Sequence, residues 1–435
     1  MMKKMCLVLS CLFWASTTPA ADLQQFYQDA LSNDAQFSAA RATLEAEREK
    51  LPQSLAGLLP TVSASVNTTS NDNEFTGSER RFNSNSYNVN LTQPLFRWQN
   101  FVQYGQAQQQ LVQAEANFAQ ARQDLILRVA QAYFDVLNAL ENLSTLQASK
   151  VAIAQQLEQA KKNFEVGSAT ITDAHEAQAR YDLAVAQEIA ATSELDVKRA
   201  ALRVIVGKEP GALNPLKRDA RLLPPQPEQI AYWVSAAEER NFAVQAQLAL
   251  SEIARQEIER NRAAHYPTLD AVANVGENIS GASQFGTARS DIISRNIGLQ
   301  LTIPLYQGGL VNSKVREALA NSNNAQSALE NAKRVAALNA RQFYSGVVNG
   351  LAQVRALEVA LESSSSALSS NKLGYDVGVR INIDVLNAEQ QVYSTQRDLS
   401  KARFETLLAQ LKLKAAVGTL GEEEVQQLNR LFETQ

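Results

Sequence analysis

Gly374-Tyr375-Asp376-Val377-Gly378-Val379-Arg380-Ile381-Asn382-Ile383-Asp384-Val385-Leu386-Asn387 reads as a tight reversal between two long helices. A glycine able to take left-handed φ ends the first helix. Acidic side chains open the second, where they meet exposed N–H groups and the positive end of the helix dipole. The same pattern stands earlier as Phe164-Glu165-Val166-Gly167-Ser168-Ala169-Thr170-Ile171-Thr172-Asp173. Gly167 pairs with Gly378 and Asp173 with Asp384, and 378 − 167 and 384 − 173 are both 211. The chain is therefore read as two copies of one unit.

Working outward from the first reversal, an apolar stripe of Tyr104, Ala107, Leu111, Ala114, Phe118, Ala121 and Leu125 advances by threes and fours. It continues to Leu157 and Phe164, the signature of a helix packed along a seam. At 1.5 Å per residue this helix is roughly 90 Å long, more than one globular domain hides. Thr170-Ile171-Thr172-Asp173 fits a capping box, and a returning helix ends near Val206-Gly207. Before the long helix the period changes to two. Val62, Ala64 and Val66, then Tyr87, Val89 and Leu91, alternate with polar residues around a hydrophilic tip, which predicts a hairpin with one apolar face. Leu91-Thr92-Gln93-Pro94-Leu95-Phe96 closes it, since proline cannot continue a ladder.

The second unit repeats this order. Leu269, Ala271, Ala273 and Val275 form one alternating run, and Ile297, Leu299, Leu301 and Ile303 form its return. Leu301-Thr302-Ile303-Pro304-Leu305-Tyr306 matches the first exit, with Pro304 at 304 − 94 = 210 residues from Pro94. The expected division is a signal segment at 1–20, a first repeat at 21–207, a Pro-rich linker at 208–229, a second repeat at 230–418 and an acidic tail at 419–435, either a short amphipathic helix or a disordered end. Strands are expected at about 61–70, 84–94, 268–279 and 291–304. Long helices are expected at about 98–165, 171–206, 309–376 and 382–416.

Composition agrees with long helices: of 435 residues 45% are hydrophobic but only 7% aromatic, the apolar share being mostly Ala and Leu alongside much Gln. Lys3 and Lys4, an apolar run to Ala15 and Thr18-Pro19-Ala20 form a secretory signal. Cys6 and Cys11 both fall inside it, so the mature chain has no disulfide, and Cys11 as a lipid-anchored residue is the lesser alternative to ordinary cleavage. Without Lys3 and Lys4, 39 basic residues face 45 acidic ones, a formal charge of −6, which gives no footprint for nucleic acid. No run of 18 apolar residues follows the signal. A chain of this kind crosses a membrane as strands or not at all. Four strands cannot close a barrel, so several copies would pool theirs.

The duplicated order, the paired Leu-Thr-x-Pro-Leu-Phe/Tyr exits and the paired Val-Gly-x-x-x-x-x-Asp turns resemble the TolC family of outer-membrane exit ducts over essentially the whole mature chain. The resemblance implies a mostly α fold with a β-barrel part: a homotrimer with a twelve-stranded barrel in the outer membrane of a Gram-negative bacterium, continued by a periplasmic α-helical barrel. It also implies export of type I secreted proteins or small toxic compounds, with a periplasmic adaptor and an inner-membrane ABC or RND-type transporter as partners. By the same resemblance, Tyr375 and Arg380 link to a neighbouring turn at Thr172 and Asp173. Asp384 points into the narrowest passage, where three copies would form a carboxylate ring. Asn387 stands where family members carry a second acidic ring, which implies weaker cation preference. Ile381 replaces the Ser or Thr usual at that cap, leaving Asn382 as its substitute.

On spacing alone, the favoured reading of Asp173 and Asp384 is as helix-start residues, of Tyr375 as packing and of Arg380 as a solvated charge. His175 and His265 stand far apart with no ligand spacing, and there is neither nucleophile elbow nor phosphate cradle. No enzyme, cofactor or metal is expected. A soluble periplasmic coiled-coil adaptor is the alternative from another class, although it leaves the two hairpins unexplained.

Overall fold

The computed structural model describes residues 22–75, 78–168, 170–217, 220–281 and 289–433. The expected signal segment with Cys6 and Cys11, the far ends of both strand hairpins and the last two residues lie outside them. Three helices open the chain: α1 (Leu23–Asn33), α2 (Ala35–Arg48) and α3 (Lys50–Ala56). Then come β1 (Thr61–Phe75), β2 (Ser78–Phe96), α4 (Trp98–Glu165) and α5 (Ile171–Val206). The order returns as α6 (Ile230–Arg240), α7 (Phe242–Arg262), β3 (Thr268–Ser280), β4 (Ser290–Thr302), α8 (Leu310–Asp376) and α9 (Asn382–Ala416), with α10 (Glu422–Asn429) last. Contacts divide the chain into two compact units, and the divisions fall inside α2, α4, α6 and α8.

One unit, Ala39–Ala121 with Ser235–Leu338, carries the sheet. Its four strands are antiparallel in the order β1-β2-β3-β4. The two hairpins therefore join through β2 and β3, with Val89 opposite Val275 and Leu91 opposite Ala273. Val62 faces Leu91 and Leu269 faces Leu301, so the apolar positions of all four strands fall on one face. That face is bare: Ile297 is 90% exposed, Leu299 70% and Val66 69%. The other face carries Ser63, Asn90, Asn274 and Asn296 in one cross-strand row.

The first hairpin is longer than its sequence suggests. Pairing extends to Phe75 opposite Ser78, because the polar residues expected in a loop bond across the strands. Asn71 donates to Ser84 Oγ at 2.9 Å, and Arg81 meets Asp72 at 2.9 Å. Pro94 does not end β2 either; the strand continues to Phe96 with a register shift between the two, which absorbs the missing N–H. Just beyond, Arg97 clamps the buried Asp270 of β3 through two bonds of 2.8 and 2.7 Å. In the second repeat the ladder stops at Thr302, short of Pro304.

The other unit takes the chain as far as Ser38, Arg122–Val234 and everything from Asn339. Its core is aromatic. Tyr133 lies 5.6 Å from Phe26 and 5.4 Å from Phe432, and Phe134 stacks on Phe404 at 5.6 Å. The Tyr133 hydroxyl donates to the Asn214 carbonyl at 2.9 Å, and burial pushes that phenol well up from its ordinary pKa. Asp34, between α1 and α2, caps Phe37 N at 2.7 Å and takes both prongs of Arg128 at 2.8 and 2.9 Å. Of the two readings of the acidic tail, the helical one is found: α10 buries Val425 and Leu428. Glu424 accepts from Gly421 N at 2.9 Å, closing the start of that helix. The Pro-rich stretch also packs, with Leu213 and Leu216 buried and Lys217 N donating to Leu431 O at 3.0 Å. Helix α8 runs unbroken through Gly346 and Gly350, and Thr406 of α9 fills the space a Cβ at Gly350 would need.

Candidate functional site

Both reversals are built from the same backbone device. Gly167 and Gly378 have φ of 74° and 79°. Ser168 N reaches back to Asn163 O at 2.8 Å and Gly167 N to Phe164 O at 2.9 Å. In the second turn Val379 N reaches Gly374 O at 2.9 Å and Gly378 N reaches Tyr375 O at 3.0 Å. These are Schellman closures, which satisfy carbonyls left over at a helix end. At Gly374 a Cβ would lie 2.7 Å from Arg380 Cγ, so glycine lets that side chain lie against the turn.

The two helix starts differ. Thr170 Oγ1 accepts from Asp173 N at 3.3 Å while the Asp173 carboxylate accepts from Thr170 N at 2.9 Å, the capping box that the spacing predicts. At the second start Ile381 offers no side-chain cap. Asn382 does not substitute for it; it is buried and its amide nitrogen finds no partner among the described residues. Asp384 instead lies 3.7 Å from Arg380, four residues before it.

Within one chain the ends of the two helical hairpins are tied together by side chains. Tyr375 Oη accepts from Asn163 Nδ2 at 3.1 Å. Glu389, buried on α9, accepts from Gln156 Nε2 of α4 at 2.8 Å and from Lys372 Nζ of α8 at 3.3 Å. Arg180 of α5 donates to Asn387 Oδ1 at 3.0 Å and to Gln390. Tyr375 thus does reach the first hairpin, at Asn163. Thr172 is exposed, Asp173 is engaged in its own cap and Arg380 turns to Asp384, so among the described residues no bond from Tyr375 or Arg380 to Thr172 or Asp173 forms inside a single chain. Sequence reasoning misses Gln156, Asn163, Arg180, Lys372 and Glu389 as members of this network. Only Glu389 left a signal, a carboxylate at i+4 from Val385 on the buried stripe.

No group of three His, Cys, Asp or Glu suited to a metal occurs among the described residues. No helix of the described residues is long and apolar enough to cross a membrane. What can face lipid is the sheet, with a dry face on one side, amides on the other and long helical hairpins in the same chain. That combination defines an outer-membrane channel with a helical part.

Comparison with known proteins gives the family. The profile described as "Outer membrane efflux protein" matches residues 26–208 and 233–419. The chain is 33% identical to outer membrane protein TolC of Vibrio cholerae over 423 residues, covering 97% of this chain and 95% of that one. It is 30% identical to the proteases secretion protein PrtF of Dickeya chrysanthemi, covering 95% and 92%. Its fold matches the crystal structure of the CmeC outer membrane channel of Campylobacter jejuni with a TM-score of 0.77 at 16% identity, covering 99% and 98%. The chain belongs to the outer membrane efflux protein family and is an outer-membrane channel of the TolC kind, not an enzyme. The reading as a soluble adaptor is thereby set aside.

Proposed function

We propose that the protein is the passive exit duct of a tripartite pump and works as a homotrimer. The observation that carries this is the sheet: four strands with an exposed apolar face and two outer edges, β1 and β4, that no other strand of the described residues pairs. Such edges cannot stand open in lipid. Three copies supply twelve strands, enough for a closed barrel. In this reading the two matched stretches of the family profile are the two repeats.

The helical-hairpin ends form the gate. Tyr375 and Arg380 join Thr172 and Asp173 of the neighbouring chain, while Asp384 and Asn387 border the constriction. Opening moves the hairpins outward between two packed arrangements. Val166, Val377, Val379 and Ile381 are exposed at these ends, apolar surface that a periplasmic adaptor would cover. An inner-membrane ABC or RND-type transporter feeds the duct. A relative named proteases secretion protein supports type I secreted proteins as cargo, and the family's description as an efflux protein supports small toxic compounds. The test is removal and restoration of the gene. Loss of an exported protein from the medium, or greater sensitivity to dyes and detergents, supports the duct; a strain unchanged in both, or protein that stays monomeric in buffer without detergent, refutes it.

A further inference from the structure

The charges around the hairpin ends do not cancel evenly. Arg380 pairs with Asp384, Lys372 with Glu389, and Asp173 is held in its own cap. Arg180 differs from all of these. Its guanidinium is clamped by two neutral amides, Asn387 at 3.0 Å and Gln390. Among the described residues its side-chain bonds go to these two amides and no ion pair includes it. Asp384 and Asn387 are three residues apart on α9 and so share a face. The clamp therefore places an unneutralised cation one helical turn along from the Asp384 carboxylate, at a position where a neutral Asn leaves its charge intact.

We propose that Arg180 sets the charge selectivity of the aperture. This rests on the pore position of Asp384 and the threefold assembly proposed above. Three Arg180 side chains then form a cationic ring beside the Asp384 ring, and the passage admits anionic solutes that a purely acidic constriction would repel. The two-pronged amide clamp holds the guanidinium beside Asn387. Screened over a Debye length of about 10 Å, one such charge acts weakly alone, but three together alter the cation-to-anion ratio about threefold.

The experiment measures reversal potential under a KCl gradient for purified wild-type channel, R180Q, R180K and D384A in planar bilayers. R180Q should raise the permeability ratio of potassium to chloride about threefold. R180K, which keeps the charge, should leave it near wild type, and D384A should lower it. If D384A lowers the ratio while R180Q does not move it, the assignment to Arg180 fails and the pore position of Asp384 stands. If neither moves it, the pore reading itself fails. Equal shifts in R180Q and R180K would also overturn the proposal, since geometry rather than charge would then be responsible.

Discussion

Tyr375→Phe removes one hydroxyl, and the bond lost with it among the described residues is the one accepted from Asn163 at 3.1 Å. A neutral hydrogen bond of this kind has a net worth of about 1 kcal/mol. If the three protomers open together, three such bonds add to about 3 kcal/mol, a change of roughly 150-fold in the ratio of closed to open channel. Single-channel recording in planar bilayers should therefore show Tyr375→Phe spending far more time at high conductance. Asn163→Ala, which leaves the proposed link of Tyr375 to the neighbouring turn, should act in the same direction but by less. The double variant should not exceed Tyr375→Phe, because that change already deletes the contact with Asn163. Conductance unchanged in Tyr375→Phe, or additive effects in the double variant, would refute the reasoning. Arg380→Ser releases a half-exposed pair worth about 0–1 kcal/mol and should add a smaller increment.

Gly378→Ala should destabilise the second hairpin end by about 1–2 kcal/mol, since φ is 79° there and the surroundings are open, leaving backbone strain as the sole cost; limited proteolysis at the turn would report it. Ile297→Arg places a charge on the bare face of β4 and should cost about 2–4 kcal/mol per chain near the bilayer midplane, seen as loss of oligomer from the membrane fraction. Asp34→Asn should lower stability by about 2 kcal/mol at neutral pH. Burial tends to raise the Asp34 pKa, but the Arg128 guanidinium and the Phe37 and Gln36 amides outweigh it, so the folded value lies below the ordinary 3.8. The contribution is full above 3.8 and disappears as pH falls through the lower folded value. The gap between wild type and Asp34→Asn in thermal unfolding should accordingly close under acid, and a gap that persists there would count against the pair.

The period-two runs and the three-and-four stripes made both strand hairpins and the long helices legible, because they repeat one local rule over many residues. The Gly167 and Gly378 turns were legible for the same reason, a conformation that few residues accept. What escaped was cross-strand and cross-helix chemistry. The Asn71 and Arg81 contacts lengthen the first hairpin, yet polar residues in a strand and in a loop look alike along the chain. The bonds of Asn163, Gln156 and Arg180 join residues more than 200 positions apart, and nothing local marks an amide that has such a partner. Asn382 as a substitute cap failed because its side chain is turned inward, a consequence of packing that no cap rule contains.

The margins of the sheet, 15 residues along β1 and 13 along β4, also govern how the molecule comes into being. In the trimer proposed above, a lone chain carries two unmatched rows of backbone donors and acceptors that its neighbours occupy. On that proposal finished channel accumulates with more than the first power of chain concentration, while an isolated chain remains sticky and open to digestion. Supply of the polypeptide, and whatever shields those margins before they meet, would regulate the number of working ducts as surely as any gate.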